Sequence, residues 1–276
     1  MFFKKKKTVQ EVEAHMSFLD HLEALRGHLV RATLAVLVAA ITLFCYREII
    51  FDAILFAPKH ADFITYKMLC KLSYFLNMGD ALCINNFGFE LINTTLAGQF
   101  TMHMWVAFVG GLVIAFPYII WELWQFIKPA LSSRELTYSK GIIFFTTLLF
   151  IIGILFGYFL ISPLSINFLG TYVVSNDVKN MIEMDSYIST ITTITLASGL
   201  IFELPMLVYF LTKIGILTPD FMRRFRKHSV VVILLVAAII TPSPDITSQM
   251  LVAIPIYLLY ETSIFVSAYV IKNKKD

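Results

Sequence analysis

Two long stretches of this chain contain no Asp, Glu, Lys or Arg, and they limit what it can fold into more than any other feature. They are Phe100–Ile120 and Gly141–Leu164. A helix needs about 20 apolar residues to cross a hydrocarbon core of roughly 30 Å, and both stretches meet that requirement. With 58% hydrophobic and 15% charged residues, the chain has too little polar surface for a soluble globule. The sequence therefore predicts an all-α integral membrane protein and excludes a soluble enzyme.

Four further apolar segments bring the predicted number of transmembrane helices to six. Leu29–Cys45 carries only Arg31, near one end, where its long side chain can reach the interface. Tyr187–Leu211 is long enough for the fourth span. The last two segments, Ser229–Ile240 and Ile246–Tyr260, are shorter than a bilayer usually requires. We expect short fifth and sixth spans, with a re-entrant hairpin as the alternative for this pair.

The basic residues are distributed unevenly between the two predicted sides of the membrane. Seventeen of the 22 Lys and Arg residues fall on the side of both termini, and the other five are Arg47, Lys59, Lys67, Lys71 and Lys179. Cytoplasmic loops carry the excess of basic residues, so both termini are predicted to be cytoplasmic. The start of the chain resembles neither a cleavable signal peptide nor an organellar transit peptide. We therefore expect a multi-pass protein of the bacterial cytoplasmic (inner) membrane.

The predicted spans divide the chain into three regions. Residues 1–28 form a cytoplasmic amphipathic N-terminal region, residues 29–268 a six-span membrane domain, and residues 269–276 a cytoplasmic basic tail. Within the membrane domain, Gly153 and Gly157 form a small-residue face, which predicts close packing of span three against another helix.

The outer loop, residues 46–99, has interrupted apolar clusters rather than the composition of a linker. We expect short interfacial helices that form a structured cap. Cys70 and Cys83 lie in this loop on the predicted oxidising side. A disulfide is permitted there, and two free cysteines are the alternative.

The sequence contains no signature of catalysis or of a cofactor. It has neither a phosphate-binding loop nor a nucleophile elbow. His15, His21 and His28 lack Cys or carboxylate partners at ligand spacing, so we expect no metal site. We also expect no enzyme activity, no cofactor and no nucleic-acid partner.

Several short motifs occur in order along the chain: Ser17–Arg26, Phe116–Leu131 followed by Glu135, Phe202–Pro205, Thr241–Gln249 and Ala253–Pro255. With six spans and a short final pair, this order resembles the TatC family, the multispanning core of the twin-arginine protein translocase, from about Ser17 to about Ser267. The resemblance implies a signal-peptide receptor in a proton-gradient-driven translocase that exports folded proteins. It also implies an oligomeric complex whose partners are TatA- and TatB-type single-span subunits, twin-arginine precursor proteins and the lipid bilayer.

The resemblance places signal-peptide binding at the cytoplasmic face and implies roles there for Glu23, Arg26, Phe126, Pro129 and Glu135. A carboxylate can distinguish Arg from Lys because a guanidinium is always charged and donates hydrogen bonds in a planar fork. The family commonly has a second acid after the position of Glu23, where this chain has Ala24. Whether Glu23 replaces that acid is open. Glu135 also has capping-box spacing with Ser132, which is the structural alternative.

Polar residues within the predicted spans form a second set of candidates. Glu203 is costly in mid-span and is therefore a functional candidate by default. Its alternative role is a neutral packing group that satisfies a carbonyl freed by Pro205. The resemblance favours docking of a partner helix at Glu203, with Gln249 and Glu261 as weaker candidates. In the outer loops it singles out Pro58 and Asp245.

Two other function classes are weighed against the translocase. A proton-coupled secondary transporter would use an intramembrane carboxylate such as Glu203, but it usually has repeated halves, and no repeat is evident. An intramembrane enzyme needs a facing nucleophile and base or metal ligands, which the spans do not supply. For a translocase, two short spans would thin the bilayer locally and offer a transient path for cargo.

Overall fold

The computed structural model describes residues 18–80, 83–84, 89–127, 139–175, 177, 180–241 and 246–275. In these residues the chain forms ten α-helices and one pair of short parallel strands. The helices are α1 (Phe18–Cys45), α2 (Ile64–Phe75), α3 (Gly98–Ile127), α4 (Ser139–Phe156), α5 (Ser162–Thr171), α6 (Met184–Phe202), α7 (Leu204–Ile214), α8 (Pro219–Arg224), α9 (Arg226–Ile240) and α10 (Ile246–Lys275). The strands are β1 (Glu90–Ile92) and β2 (Met181–Glu183).

Five helical segments of the described chain are long and apolar enough to cross a membrane: Leu22–Cys45, Gly98–Ile127, Gly141–Thr171, Met184–Ile214 and Gln249–Lys272. They correspond to predicted spans one to four and six, so the prediction of a helical membrane protein is confirmed. The predicted fifth span is α9, whose 15 residues give about 22 Å, less than the roughly 30 Å of a hydrocarbon core. We call the end where α1 begins and α10 ends the terminal side, and the opposite end the cap side.

The last helix is longer than the sequence analysis expects. α10 continues without a break through Glu261 to Lys275. Glu261 does not end the apolar span because its carboxylate is paired within the protein. It lies 2.6 Å from Arg226 Nη2 and accepts a hydrogen bond of 3.1 Å from the Tyr257 hydroxyl. Of the two spans expected to be short, the sixth therefore has full length, while α9 is not among the five segments of the described chain that are long enough to cross a membrane.

Small residues bring pairs of spans into close contact. A methyl group at Gly153 would stand 2.7 Å from the Ser198 carbonyl oxygen, and one at Gly157 would stand 2.9 Å from the Ser198 hydroxyl. The predicted small-residue face is therefore used to pack span three against span four. Spans one and two meet in the same way, since a methyl group at Gly111 would stand 2.7 Å from the Ala40 amide nitrogen.

The loop between spans one and two is structured, as predicted, and we call residues 46–97 the cap. A π-helical segment, Ile49–Leu55, and a short 3-10 turn, Ala57–Lys59, precede α2. Cys70 and Cys83 form the disulfide that the sequence permits. The strand β1 pairs in parallel with β2, which joins the cap to the loop between spans three and four.

Three tyrosine hydroxyls hold the backbone of the cap. Each donates a hydrogen bond to a carbonyl oxygen: Tyr158 to Ile54 (2.7 Å), Tyr187 to Leu55 (3.0 Å) and Tyr66 to Pro58 (2.8 Å). Tyr158 lies in span three and Tyr187 in span four, so these bonds fix the cap onto two different spans. Pro58 is buried at this junction. Its observed role is structural, because its carbonyl receives the Tyr66 hydroxyl.

An apolar groove of about 1010 Å³ opens beneath the cap. Spans two, three and four line it, and Phe63 and Ile64 at the start of α2 form part of its rim. The groove therefore lies between the membrane spans and the first turn of the cap helix.

Replacing Gly153 by Ala should destabilise the protein, because the added methyl group meets backbone of span four. Overpacking of this kind costs about 1–3 kcal/mol. The matched control is Gly141→Ala in the same helix, since nothing lies within 4 Å of a methyl group there. The thermal unfolding midpoint in detergent, followed by tryptophan fluorescence, should fall for Gly153→Ala and stay equal or rise for Gly141→Ala. Equal midpoints for the two variants would contradict the packing of spans three and four.

Candidate functional site

The structure describes three of the five residues assigned to signal-peptide binding, and all three lie on the terminal side. Glu23 and Arg26 are exposed in the first turns of α1. Their spacing of three places them on the same face of the helix. Phe126 is partly buried near the end of α3, and its ring lies edge-on to that of His28 with centroids 6.2 Å apart. Two further residues lie outside the described chain, Pro129 and Glu135.

A buried carboxylate that the sequence analysis does not single out lies one turn before Phe126. Glu122 is only 2% exposed, and four contacts surround its carboxylate oxygens. The Arg31 guanidinium donates from Nε to Oε1 (3.0 Å) and from Nη2 to Oε2 (3.1 Å). The Tyr118 hydroxyl donates to Oε1 (2.6 Å), and His28 Nδ1 lies 2.5 Å from Oε2. The arrangement is a bidentate ion pair with two additional polar contacts.

These contacts determine what Glu122 can do chemically. Burying a charge is costly unless it is paired and its remaining lone pairs are satisfied, and here both conditions are met. Because Arg31 and His28 belong to α1 while Glu122 and Tyr118 belong to α3, the cluster ties the two helices together on the terminal side. It thereby fixes the position of Phe126 relative to the first turns of α1.

A sequence signal for this pair exists, although composition alone does not reveal it. Arg31 is the only Asp, Glu, Lys or Arg in Leu29–Cys45, and Glu122 comes two residues after the charge-free stretch Phe100–Ile120. Both lie near the end of their span that is predicted to face the cytoplasm. Two opposite charges at the same level of neighbouring spans predict an ion pair, provided the two helices are adjacent. Tyr118 at i−4 from Glu122 adds a local hydrogen-bond donor.

The second candidate region is a break in span four. Helix α6 ends at Phe202 and α7 begins at Leu204, with Glu203 between them and Pro205 buried in the first turn of α7. The carboxyl group of Glu203 contacts the backbone of Phe150 in span three. Its Oε1 atom is buried and has no hydrogen-bond partner among the described residues. Both carboxylate oxygens of Glu122 therefore have hydrogen-bond partners, whereas Oε1 of Glu203 has none among the described residues.

The weaker intramembrane candidates make bonds within the protein. The Gln249 side-chain amide donates to the Leu234 carbonyl oxygen (3.0 Å), and Glu261 pairs with Arg226 (2.6 Å). Both contacts join α10 to α9, so each has an evident structural role. Asp245, singled out in an outer loop, lies outside the described residues. Within the described chain, no group of three or more His, Cys, Asp or Glu side chains is arranged to hold a metal.

Replacing Arg31 by Gln should destabilise the protein more than replacing both Arg31 and Glu122 by Gln. The single change leaves a buried carboxylate without its guanidinium. Because the Arg31 side chain is half-exposed, we expect a cost of about 1–3 kcal/mol, below that of breaking a fully buried pair. The coupling is measured as a double-mutant cycle of unfolding free energies in detergent. The control is the same cycle at the exposed Asp62–Lys67 pair (2.9 Å), where the coupling should stay below about 1 kcal/mol. Equal coupling at the two pairs would show that the Glu122 cluster does not hold α1 to α3.

Comparisons with known proteins agree with the resemblance given by the motifs. The family model described as "Sec-independent protein translocase protein (TatC)" matches residues 20–255. The TatC protein of Blattabacterium sp. subsp. Periplaneta americana is 42% identical over 260 residues, which is 94% of this chain and 97% of that protein. The TatC protein of Aquifex aeolicus is 30% identical over 262 residues, 95% and 98% of the two chains.

A solved structure is similar along almost the same length. The crystal structure of the twin arginine translocase receptor TatC has a TM-score of 0.68 and 31% sequence identity, and the alignment covers 91% of this chain and 99% of that chain. These matches give no support to the alternative of a proton-coupled secondary transporter. Because the family model and the relatives align over most of the chain, this protein belongs to the TatC family and is a multi-pass membrane component of the Sec-independent, twin-arginine protein translocase.

Proposed function

We propose that this protein is the receptor subunit that binds twin-arginine signal peptides on its terminal side, which faces the cytoplasm of a bacterial inner membrane. One observation carries the proposal. The buried Glu122 cluster holds the start of α1 beside the end of α3, so the exposed Glu23 lies on the same side of the protein as Ile127, where α3 ends. Glu135 follows Ile127 by eight positions in the sequence.

The charges on the terminal side support this orientation. Exposed basic residues cluster there in α8 and at the start of α9: Arg223, Arg224, Arg226 and Lys227. Basic residues beside membrane spans are retained in the cytoplasm. With the terminal side in the cytoplasm, a precursor made there reaches the receptor before it crosses the membrane.

Within this site, Glu135 is the stronger candidate for recognition and Glu23 the weaker. Glu23 shares a helix face with Arg26, so a guanidinium of this protein competes with that of the peptide for the same carboxylate. Ala24 cannot take the role of the family acid, and its direction from the helix axis differs from that of Glu23 by about 100°. We therefore assign the main guanidinium contact to Glu135, with Phe126 and Pro129 as its neighbours in the motif.

The proposed complex includes single-span subunits of the TatA and TatB type and more than one copy of the receptor. Glu203 supports a docking role because one of its carboxyl oxygens has no hydrogen-bond donor among the described residues. A polar side chain on an incoming helix that reached this oxygen would supply the donor. Pro205, in the first turn of α7, keeps the span broken at this level.

The short α9 supports a mechanism for cargo passage. Its apolar length is several Å less than the hydrocarbon thickness, and such a mismatch is relieved by thinning the surrounding bilayer. A thinned patch that recruits further short helices would open only when cargo is bound. The proton gradient that drives export would then not be dissipated through a permanent hole.

Replacing Glu135 by Gln should weaken binding of a twin-arginine signal peptide by about 10- to 100-fold, because a charge-assisted hydrogen bond contributes roughly 1.5–3 kcal/mol. Binding is measured with the full-length protein in nanodiscs and a labelled peptide, alongside a copy of the peptide in which Lys-Lys replaces Arg-Arg. The control is Asp220→Asn, which changes an exposed carboxylate in α8 on the terminal side and should bind like the wild type. If the wild type itself does not prefer the Arg-Arg peptide, the receptor assignment is wrong. If it does and Glu135→Gln keeps that preference, the role of Glu135 is wrong.

Inserting five leucines after Ile240 should impair export while leaving signal-peptide binding intact. The insertion lengthens α9 by about 7.5 Å on the cap side, where it preserves the existing helix and removes the mismatch. Five serines at the same position lengthen the connection without lengthening the apolar span, and should leave export closer to normal. Transport of a folded reporter into inverted membrane vesicles measures the effect. Full export by the leucine variant would show that the short span is not required.

A further inference from the structure

The cap helix α2 exposes a continuous apolar stripe to its surroundings. Ile64, Met68, Leu72 and Phe75 are between 47% and 83% exposed. Their spacing of four, four and three residues places them on one side of the helix. The opposite side is buried and contains Thr65, Tyr66 and Ser73. The exposed stripe is therefore not a remnant of the core but a second, separate apolar surface.

The attachment of α2 places this stripe at the level of the bilayer surface. The Thr65 hydroxyl donates to the Phe159 carbonyl oxygen, and the Phe63 ring stacks on that of Phe159 with centroids 5.7 Å apart. Phe159 lies about 27 Å along span three from Gly141, where the apolar segment begins, at a rise of 1.5 Å per residue. The hydrocarbon core is about 30 Å thick. The first turn of α2 is therefore attached to span three near the cap-side boundary of the hydrocarbon.

Two lysines lie along one edge of the apolar stripe. Lys67 and Lys71 are exposed there, one turn apart. The Lys67 ammonium lies 2.9 Å from the Asp62 carboxylate, and its hydrogen bond and charge lower the pKa of Asp62. Lysines can reach from an apolar surface to the level of the lipid phosphates, so a basic edge beside an apolar stripe is complementary to an anionic bilayer surface.

The groove beneath the cap extends this apolar surface. Ile64, the first residue of the stripe, is also part of the groove rim. Lipid chains in the groove and beneath α2 would therefore form one uninterrupted apolar contact. A soluble partner protein would have to cover the stripe without entering this membrane-level surface.

We propose that α2 is a membrane-surface helix whose apolar stripe inserts into the cap-side leaflet, and whose Lys67 and Lys71 bind the phosphates of anionic phospholipids. The partner of this face is the bilayer itself. The inference does not depend on the signal-peptide receptor function, since it concerns the opposite side of the protein.

The test uses the full-length protein in nanodiscs with a spin label at Met68→Cys. Cys45, which is exposed and free, is replaced by Ser, and the Cys70–Cys83 disulfide is kept oxidised so that neither cysteine reacts. The matched control is a label at Glu90→Cys, an exposed position in β1 of the same cap. Collision rates with oxygen, which dissolves in lipid, and with a water-soluble nickel complex report the surroundings of each label. The nanodiscs contain phosphatidylcholine alone or mixed with phosphatidylglycerol.

We expect the label at Met68 to favour oxygen and the label at Glu90 to favour nickel. Adding phosphatidylglycerol should shift the Met68 label deeper, and the Lys67→Gln/Lys71→Gln variant should lose that shift while keeping its disulfide and its unfolding midpoint. If the label at Met68 collides more with the nickel complex than with oxygen, the stripe does not insert into the leaflet. Protection from both reagents would show that a protein surface covers the stripe, which also overturns the insertion. The proposed lysine contacts would be wrong if phosphatidylglycerol does not move the Met68 label deeper, or if it moves the label equally in the double variant. If the Met68 label prevents folding, a label at Leu72 gives the same readout.

Discussion

In hydrocarbon, every backbone amide and carbonyl needs a partner inside the protein, and this requirement shapes the structure even where its helices are interrupted. Pro163 has no N–H to give to the Phe159 carbonyl oxygen four residues earlier. The hydroxyl of Thr65, at the start of α2, donates to that oxygen instead. Tyr66 adds a second contact there, with its hydroxyl 3.2 Å from the Pro163 carbonyl oxygen. The interruption of span three between Phe156 and Ser162 thus provides the attachment point for the start of α2.

The same requirement distinguishes the two carboxylates discussed within the spans. Glu122 has a guanidinium, a phenol and an imidazole within hydrogen-bonding distance, so it holds α1 to α3 without needing any external group. Glu203 lies at a helix break with one oxygen lacking a donor. The fully hydrogen-bonded Glu122 stabilises the contact between α1 and α3, whereas Glu203 is the side chain for which we propose a partner helix. Burial alone does not separate these roles, because both side chains lie in or beside membrane spans.

Composition and spacing were sufficient to predict the features that depend on one segment at a time. The charge-free stretches indicate the long spans, Gly153 and Gly157 indicate a close helix contact, and the clustered apolar residues after Tyr46 indicate a structured cap. Features that depend on contacts between distant segments were missed. Glu122 is recognisable as an anchor only when α1 is known to lie beside α3. Similarly, Glu261 does not shorten the last span, because its charge is balanced by Arg226, 35 residues away in sequence.

The Arg31–Glu122 contact also bears on where a foreign guanidinium can bind. It shows the geometry that this protein uses to hold an arginine, with two N–H donors of the guanidinium on one carboxylate and the Tyr118 hydroxyl as a further donor to Oε1. A signal peptide that competed for Glu122 would have to displace Arg31 and open the contact between α1 and α3. Recognition is less costly at a carboxylate that no internal arginine occupies and that water can reach before binding. By this reasoning Glu122 is the structural anchor of α1 and α3, and the peptide contacts that we propose belong to other carboxylates.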